Sequence, residues 1–496
     1  MFSTVLVANR GEIAVRIIRT CRELGVRAVA VYSEADAATP HVALADEAIP
    51  IGPAEPARSY LDGARLIDAA RRAGAEAVHP GYGFLAEDAG FARACADAGL
   101  VFIGPPAEVI ARFGDKTAAR RLATEAGVPV VPGVEEAPDD GALWDAAARL
   151  GFPLLVKAAA GGGGRGMRVV HRPDDLPAAV AAARREARAA FGSDAVFLER
   201  LLERWRHVEV QVLADAHGGV VHLGERECSV QRRYQKVVEE APSPAVDPPL
   251  REALGEAAVR LARAAGYVNA GTIEFLVDGR TFFFLEANTR LQVEHPVTEL
   301  VAGVDLVAAQ LRIAAGEPLA WRQEDLAPRG WAIEARVYAE DPEAEFAPSP
   351  GRVLHLAEPH LPGVRIDSGV AAGVEIPPFY DPLLAKLIAW GTDREHARRR
   401  LERALAEYVI LGPRTNVSFL RAVVGHPAFA AGALTTGFLA EEFAGWRRPE
   451  PPEAVVAVAA VLAAVHETPP APPGRGVRPG PTCADPWAYL TGWRLG

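Results

Sequence analysis

Residues 155–170 read LVKAAAGGGGRGMRVV: two strand-forming stretches joined by four consecutive glycines, an arginine and a fifth glycine. Glycine weakens helix and strand interiors alike, so this run can only be a loop between two strands. Gly161, Gly163 and Gly166 spell G-x-G-x-x-G. A strand and not a helix follows Gly166, which excludes a dinucleotide-binding turn, and no Gly-Lys-Ser/Thr is present to make a P-loop. Two readings remain. One is a loose glycine hairpin. The other is a flap whose backbone N–H groups approach phosphate oxygens with no Cβ in the way. Lys157, four residues before the first glycine, is placed to reach such a phosphate and favours the flap.

The rarity of lysine strengthens that preference. Lysine and arginine total 53, and only Lys116, Lys157, Lys236 and Lys386 are lysine. A chain that drifts this far toward arginine keeps lysine where a planar guanidinium does not serve and a compact ammonium does, as against phosphate oxygens. Met167, inside the glycine segment, is likewise the one methionine besides Met1. The formal net charge of −11 argues against a general nucleic-acid binder. TVLVAN near the start reads as a strand of the fold and not as a signal peptide. AVVAVAAVLAAV (454–465) is too short to span a bilayer comfortably and reads as a packed helix, so no membrane partner is expected. Cys21, Cys95, Cys228 and Cys483 are far apart with no C-x-x-C. This points to neither a disulfide framework nor a zinc site and fits a reducing cytoplasm.

At 496 residues the chain is too long for one core and divides into about three domains with a tail. Residues 1–113 alternate strands with helices, which is the pattern of an open, mostly parallel α/β sheet. HPGYGF (79–84) follows a strand there, where such sheets place ligand loops. Residues 114–201 give a connecting helix and a small α+β unit around the glycine loop. Residues 202–445 carry longer strands interleaved with helices. Residues 446–496 hold a helix, the linker PPAPPGRGVRPGP and the tail.

A phosphate flap calls for magnesium ligands, and GTIEFLVDGRTFFFLEANTRLQVEH (271–295) offers them. Glu274 and Glu286 are embedded in apolar strand residues, a costly place for a carboxylate unless it is paired or on a metal. Asn288 follows Glu286 at i+2 on the same face. Two carboxylates and an amide oxygen suit Mg²⁺ (or Mn²⁺), which completes its shell with phosphates. Asp278-Gly279 marks a hairpin turn. A three-residue loop puts Glu274 and Glu286 on one face, and a two-residue loop puts them on opposite faces. Beyond Asn288 the alternation continues through Arg290, Gln292 and Glu294, so an extended chain would carry ligand, cation, amide and carboxylate along one face. His207, Glu209 and Gln211 alternate with valines, and Glu334 and Arg336 share a face in WAIEARVYAE. Each pattern alone is more often a solvated strand face. Together they mark a site for a nucleotide, a small anion and a base.

VLVANRGEIAVRII, HPGYGFLAE, GDKTAAR, KAAAGGGGRGMRVV, RHVEVQVLAD, QRRYQKVVEEAP, EANTRLQVEHPVTE, EARVYAEDP, PSPGRV and FYDPLLAKLI resemble biotin carboxylase, a member of the ATP-grasp superfamily. They occur in the family's order over residues 2–445. The resemblance implies an N-terminal α/β domain, an ATP-grasp lid and base, and a C-terminal mixed α+β domain. It implies that bicarbonate attacks the γ-phosphate of MgATP to give carboxyphosphate, whose CO₂ then carboxylates N1′ of biotin held on a carrier. Lys116 and Lys157 would bind phosphates, together with the loop glycines Gly161, Gly162, Gly163, Gly164 and Gly166 and with Met167. Lys236 would bind phosphate or carboxyphosphate. Glu199 and Leu202 would take the adenine edge through the backbone, and His207 and Gln231 would contact the nucleotide. Glu274 and Glu286 would hold magnesium, with Asn288 nearby. Arg290, Gln292 and Val293 would hold bicarbonate, Glu294 would be the general base, and Arg336 would stabilise the biotin enolate.

Two positions depart from the pattern. Ala160 stands where the subunit form often has glycine, and Tyr234 where the bacterial subunit has a histidine. Both hint at the α-chain branch of the acyl-CoA carboxylases. The family roles fit the first half-reaction of an acetyl- or acyl-CoA carboxylase in fatty acid biosynthesis, or the corresponding part of a pyruvate carboxylase. Another ATP-grasp carboxylate–amine ligase would keep Lys157, Glu274 and Glu286 without needing Arg290, Glu294 and Arg336 together. The family expectation is a homodimer served by a biotin carboxyl carrier protein and a carboxyltransferase in trans. The chain has no lysine after Lys386 to carry biotin itself. Lysine rarity carries its own test. Lys157→Arg should lose at least about tenfold in kcat/KM for ATP, because the guanidinium is larger and places its charge differently. Near-normal kinetics for that variant would remove the premise.

Overall fold

Val5, Leu6 and Val7 are fully buried, because the strand they form lies mid-sheet with apolar side chains packed on both faces. Strand Thr4–Val7 is the centre of a five-stranded, all-parallel sheet ordered Glu47–Gly52, Arg27–Ser33, Thr4–Val7, Ala77–His79, Val101–Phe102. Helix Gly11–Glu23 covers one face with Ile13, Ala14, Ile17, Ile18 and Cys21, the spacing of an amphipathic stripe. The structure is a computed structural model that describes residues 1–134, 139–158, 167–192, 194–202, 204–451 and 453–459. Residues 1–447 form one compact unit and the residues from Arg448 onward a second.

Aspartate starts many of the helices. Asp62, Asp88, Asp115, Asp139, Asp247, Asp305 and Asp393 each precede a helix and accept a backbone N–H of its first turn. Such a cap contributes about 1 kcal/mol and fixes where the helix begins. Asp115 thereby sets Lys116 at the first position of helix Lys116–Glu125.

The lid is a four-stranded antiparallel sheet ordered Gly133–Val134, Val196–Arg200, Leu154–Ala158, Arg168–Val170. Its core draws on Leu143, Leu154, Val156, Val170, Val180 and Leu198, all from the lid itself. The loop glycines Gly161, Gly162, Gly163, Gly164 and Gly166 lie outside the described residues, as does Cys483.

The base is an antiparallel sheet of eight strands. Its order is Thr281–Asn288, Asn269–Asp278, Arg206–Ala214, Val220–Arg232, Gln235–Ala241, Trp331–Tyr338, Leu383–Gly391, Val364–Ser368. The last three strands belong to the C-terminal part, so base and C-terminal region share one continuous ladder. The sequence reading did not separate out strands Gln235–Ala241, Val364–Ser368 and Leu383–Gly391. Leu213, Val221, Leu291, Leu306 and Val307 share a core with Val5, Ile13 and Ile17 of the N-terminal domain. The described residues hold no helix long and apolar enough to cross a membrane.

Three expectations are corrected. The 278–281 turn has two residues, Gly279 and Arg280, since Asp278 pairs with Thr281. Parity alone would then put Glu274 and Glu286 on opposite faces. A β-bulge between Glu274 and Phe275 absorbs Leu285 and sets Glu274 directly across from Glu286. The extended run expected to Glu294 stops at Asn288. The chain turns there and enters helix His295–Ala302, with Glu294 as its N-cap residue. Finally, the described part of the 454–465 segment is helical over 453–459, but Val455, Val456 and Val458 are exposed and not packed.

The C-terminal part also touches the N-terminal helix backbone to backbone. A Cβ on Gly369 would lie 2.4 Å from the Glu12 nitrogen and 2.7 Å from the Gly11 carbonyl carbon. Neither neighbour is a flexible side chain that can swing away. Gly369→Ala should therefore destabilise by about 1–3 kcal/mol. Gly114→Ala, where a Cβ meets nothing within 4 Å, is the control. Equal melting midpoints for the two variants would show that the backbones are not pressed together.

Candidate active site

Strand Arg206–Ala214 separates two environments. Val208, Val210 and Val212 enter the core beneath helix Pro248–Ala265, while His207, Glu209 and Gln211 project from the other face. That polar face is buried, so its charges have to find partners. Lys236 Nζ donates to Glu274 Oε1 at 2.8 Å, to Glu294 Oε1 at 2.7 Å, and to Glu209 Oε2. Three carboxylates thus use all three ammonium protons. Arg226, fully buried, binds the other Glu209 oxygen and reaches Gln211 at 2.8 Å and Thr298 at 2.9 Å.

Glu274 also accepts from Asn288 Nδ2 at 2.9 Å and Gln292 Nε2 at 3.0 Å, and pairs with His207 Nε2 at 2.8 Å. Arg290 bonds Gln292 Oε1 at 3.0 Å and Asn288 Oδ1 at 3.1 Å, and its Nε reaches Glu87 at 2.8 Å. The tight turn after Asn288, and not an extended strand, brings Asn288, Arg290, Gln292 and Glu294 together. Arg336 closes the group, donating to Glu294 Oε2 at 2.9 Å and Glu239 Oε1 at 2.6 Å.

Charge separation inside this cluster is strong. Burial would push the Glu294 carboxyl up, but Lys236, Arg336 and Arg226 together hold it far below the usual range. Glu294 is therefore an ionised carboxylate. Glu239, buried and beside Glu294, is pushed up to about 7 despite Arg336. Glu286 is raised by burial and then by the charge of Glu274. Two facing carboxylates of this kind suit a divalent cation, which would relieve their repulsion. The donor atoms of His207, Glu209 and Glu274 also lie within 4.8 Å of one another. Lys236 already bridges Glu209 and Glu274, which makes the Glu274–Glu286 pair the better fit for a metal.

On the lid side, Lys157 and Arg120 both bind the Glu199 carboxylate. Lys116 senses Glu286 and Lys157, and burial lowers its pKa. Gln231 lies directly across from Lys236 on the neighbouring strand. Leu202 lies just beyond lid strand Val196–Arg200, and Met167 immediately precedes Arg168–Val170. The Val293 carbonyl accepts from Lys386 Nζ at 2.8 Å. The sequence reading left Glu87, Arg226 and Glu239 without a role and took Glu209 only as part of an alternating face. Glu87 was within reach, because it ends the quoted HPGYGFLAE motif. Arg226 and Glu239 gave no signal among so many arginines and glutamates.

The match to known proteins agrees with this arrangement. Residues 1–110 match the model for the biotin carboxylase N-terminal domain. Residues 115–322 match that for the ATP-binding domain of the carbamoyl-phosphate synthase L chain, and residues 334–441 that for the biotin carboxylase C-terminal domain. A pyruvate carboxylase subunit of Methanothermobacter thermautotrophicus is 52% identical over 445 residues, covering 89% of this chain and 90% of that protein. A biotin carboxylase of Nostoc sp. is 51% identical over 444 residues, covering 89% and 99%. Among solved structures, the biotin carboxylase domain dimer of Hydrogenobacter thermophilus 2-oxoglutarate carboxylase, in complex with MgADP, ADP and bicarbonate, is 46% identical. It superposes with a TM-score of 0.87 over 91% of this chain and all of that one. With three domain models matched in order along a chain whose buried carboxylate sits between a lysine and an arginine, this protein belongs to the biotin carboxylase family.

Proposed function

We propose that the residues around Glu294 carry the MgATP-dependent carboxylation of biotin by bicarbonate, through carboxyphosphate. One observation carries the assignment of roles: Glu294 is fully buried, ionised, and held between Lys236 and Arg336. Arg290, Gln292 and the Val293 backbone would receive bicarbonate next to that carboxylate. An anion entering there competes for the cations that hold Glu294 down, so the carboxyl becomes more basic as substrate binds. Glu294 then takes the bicarbonate proton while the bicarbonate oxygen attacks the γ-phosphorus and ADP leaves. Lys116, Lys157 and Lys236 would balance phosphate charge. Glu274 and Glu286, with Asn288, would hold magnesium, which neutralises and orients phosphate oxygens. Carboxyphosphate yields CO₂ and phosphate, the phosphate takes the N1′ proton of biotin, and Arg336 would stabilise the resulting enolate, whose N1′ takes up the CO₂. His207 and Gln231 would contact the nucleotide. Glu199 and Leu202 would take its adenine edge, and the loop glycines with Met167 would cover the phosphates. The division into residues 1–113, 114–201, 202–445 and 446–496 accommodates these roles.

The finer reading is a cytoplasmic homodimer acting in the first half-reaction of an acetyl- or acyl-CoA carboxylase, with carrier and carboxyltransferase in trans. The relationship to the Methanothermobacter pyruvate carboxylase protein favours a second reading, in which the carboxyl group is passed to pyruvate. The lysines bear on whether these 496 residues carry biotin. Lys157 and Lys386 are buried, and Lys116 and Lys236 are half-buried. None offers an accessible amine for biotin attachment. Streptavidin blotting of this 496-residue chain, produced together with a biotin ligase, should therefore show no band. A band there would mean that one of the four lysines is modified.

Glu294→Gln should lower bicarbonate-dependent ATP hydrolysis by about 10²-fold or more, because the base acts on bicarbonate. ATP affinity should stay close to that of the wild type. Nucleotide titration and ADP release with and without bicarbonate, then with free biotin, separate the two. A large loss of ATP binding would place Glu294 at the nucleotide instead.

A further inference from the structure

Three of the four lysines, Lys116, Lys157 and Lys236, already have a part in the proposed reaction; the fourth does not. Lys386 is on strand Leu383–Gly391, directly across from Arg336 on one neighbouring strand and from Asp367 on the other. It is 0% exposed, and its ammonium lies 3.2 Å from Glu12 Oε2 and 3.7 Å from Asp367 Oδ2. Its hydrogen bond goes elsewhere, to the Val293 carbonyl at 2.8 Å. Three parts of the fold meet on this one group: the first turn of helix Gly11–Glu23, the C-terminal strands, and the turn that carries Gln292 and Glu294.

The Val293 carbonyl belongs to the peptide that joins Val293 to Glu294. A cation on that oxygen fixes the peptide plane, and with it the direction of the Glu294 N–H and the point from which the Glu294 side chain departs. It also polarises the peptide, which makes the N–H a stronger donor to an anion. The preceding carbonyl, of Gln292, is held in turn by His295 Nδ1 at 2.8 Å. These two carbonyls are therefore both held, while the Gln292 and Glu294 side chains reach Glu274 and Lys236.

We propose that Lys386 is a positioning residue for bicarbonate capture, acting through the Val293–Glu294 peptide, an inference that rests on the reading of the 290–294 segment given above. Glu12 and Asp367 flank the ammonium, and they tie the geometry of the turn to the docking of the N-terminal and C-terminal parts.

The test is steady-state kinetics of bicarbonate-dependent ATP hydrolysis, with biotin present, on wild type, Lys386→Met, Glu12→Gln and the double variant Glu12→Gln/Lys386→Met. Losing a charged hydrogen bond to the turn should raise KM for bicarbonate by about tenfold or more. KM for ATP should stay within about twofold, because the nucleotide lysines are untouched. Lys386→Met alone strands buried carboxylates and should melt earlier. Adding Glu12→Gln removes one of them and should recover part of the melting midpoint while leaving the bicarbonate KM high. Recovery of both together would overturn the proposal and leave Lys386 as an ion-pair partner only. Should Lys386→Met not accumulate as folded protein, the double variant is compared with Glu12→Gln alone, and equal bicarbonate KM values would overturn it. A wild-type enzyme whose ATP hydrolysis ignores bicarbonate would instead overturn the proposed reaction.

Discussion

Lys236 stands among three buried carboxylates, and a group this charged is stable inside protein only if every member is satisfied. Glu209, Glu274 and Glu294 come from three separate segments, and Lys236 from a fourth. Their mutual compensation depends on the strand register that sets Glu209 opposite both Arg226 and Glu274. Slip that register by one residue and the valines would face the site while the glutamates entered the apolar core. The sheet is thus held in place by its charged face as much as by its hydrophobic one.

The same constraint gives the site its chemistry. A carboxylate kept ionised by two cations is a weak base until an anionic substrate draws those cations away. In the proposed mechanism the resting arrangement would hold Glu294 as a weak base, and substrate binding would strengthen it. Nearby, Glu239 and Glu334 face each other across adjacent strands, and burial raises both carboxyls. Arg336 bonds Glu239 as well as Glu294, so it joins an acid that resists ionisation to one that resists protonation.

Rigidity is distributed unevenly. The N-terminal sheet and the base share a core, and the base sheet runs on into the C-terminal strands, so these parts hold the bicarbonate side as one body. The lid has a core of its own; the Arg120–Glu199 ion pair ties it to helix Lys116–Glu125, and the segment that joins that helix to the lid bonds the base through Pro129 and Phe284. A small unit with its own core, hinged on short connections, is suited to closing over a nucleotide.

The sequence alone determined the family and the fold class, and it named candidate site residues. The alternation of His207, Glu209 and Gln211 with valines took its meaning only together with the patterns around it, and the motifs from HPGYGFLAE to EANTRLQVEH were legible as a family. It also marked the lysines, but it could not say what each one touches. Lys386 looked like an interruption in an apolar run, because its partners Glu12, Asp367 and Val293 are distant in sequence. The bulge at Leu285 was equally hidden, since period-2 alternation carries no record of an inserted residue. Nor did the alternation from Asn288 to Glu294 reveal that the chain turns there and gathers its polar groups by curling. Register, bulges and the pairing of buried charges are set by which strands meet, and that was decided only by tertiary packing.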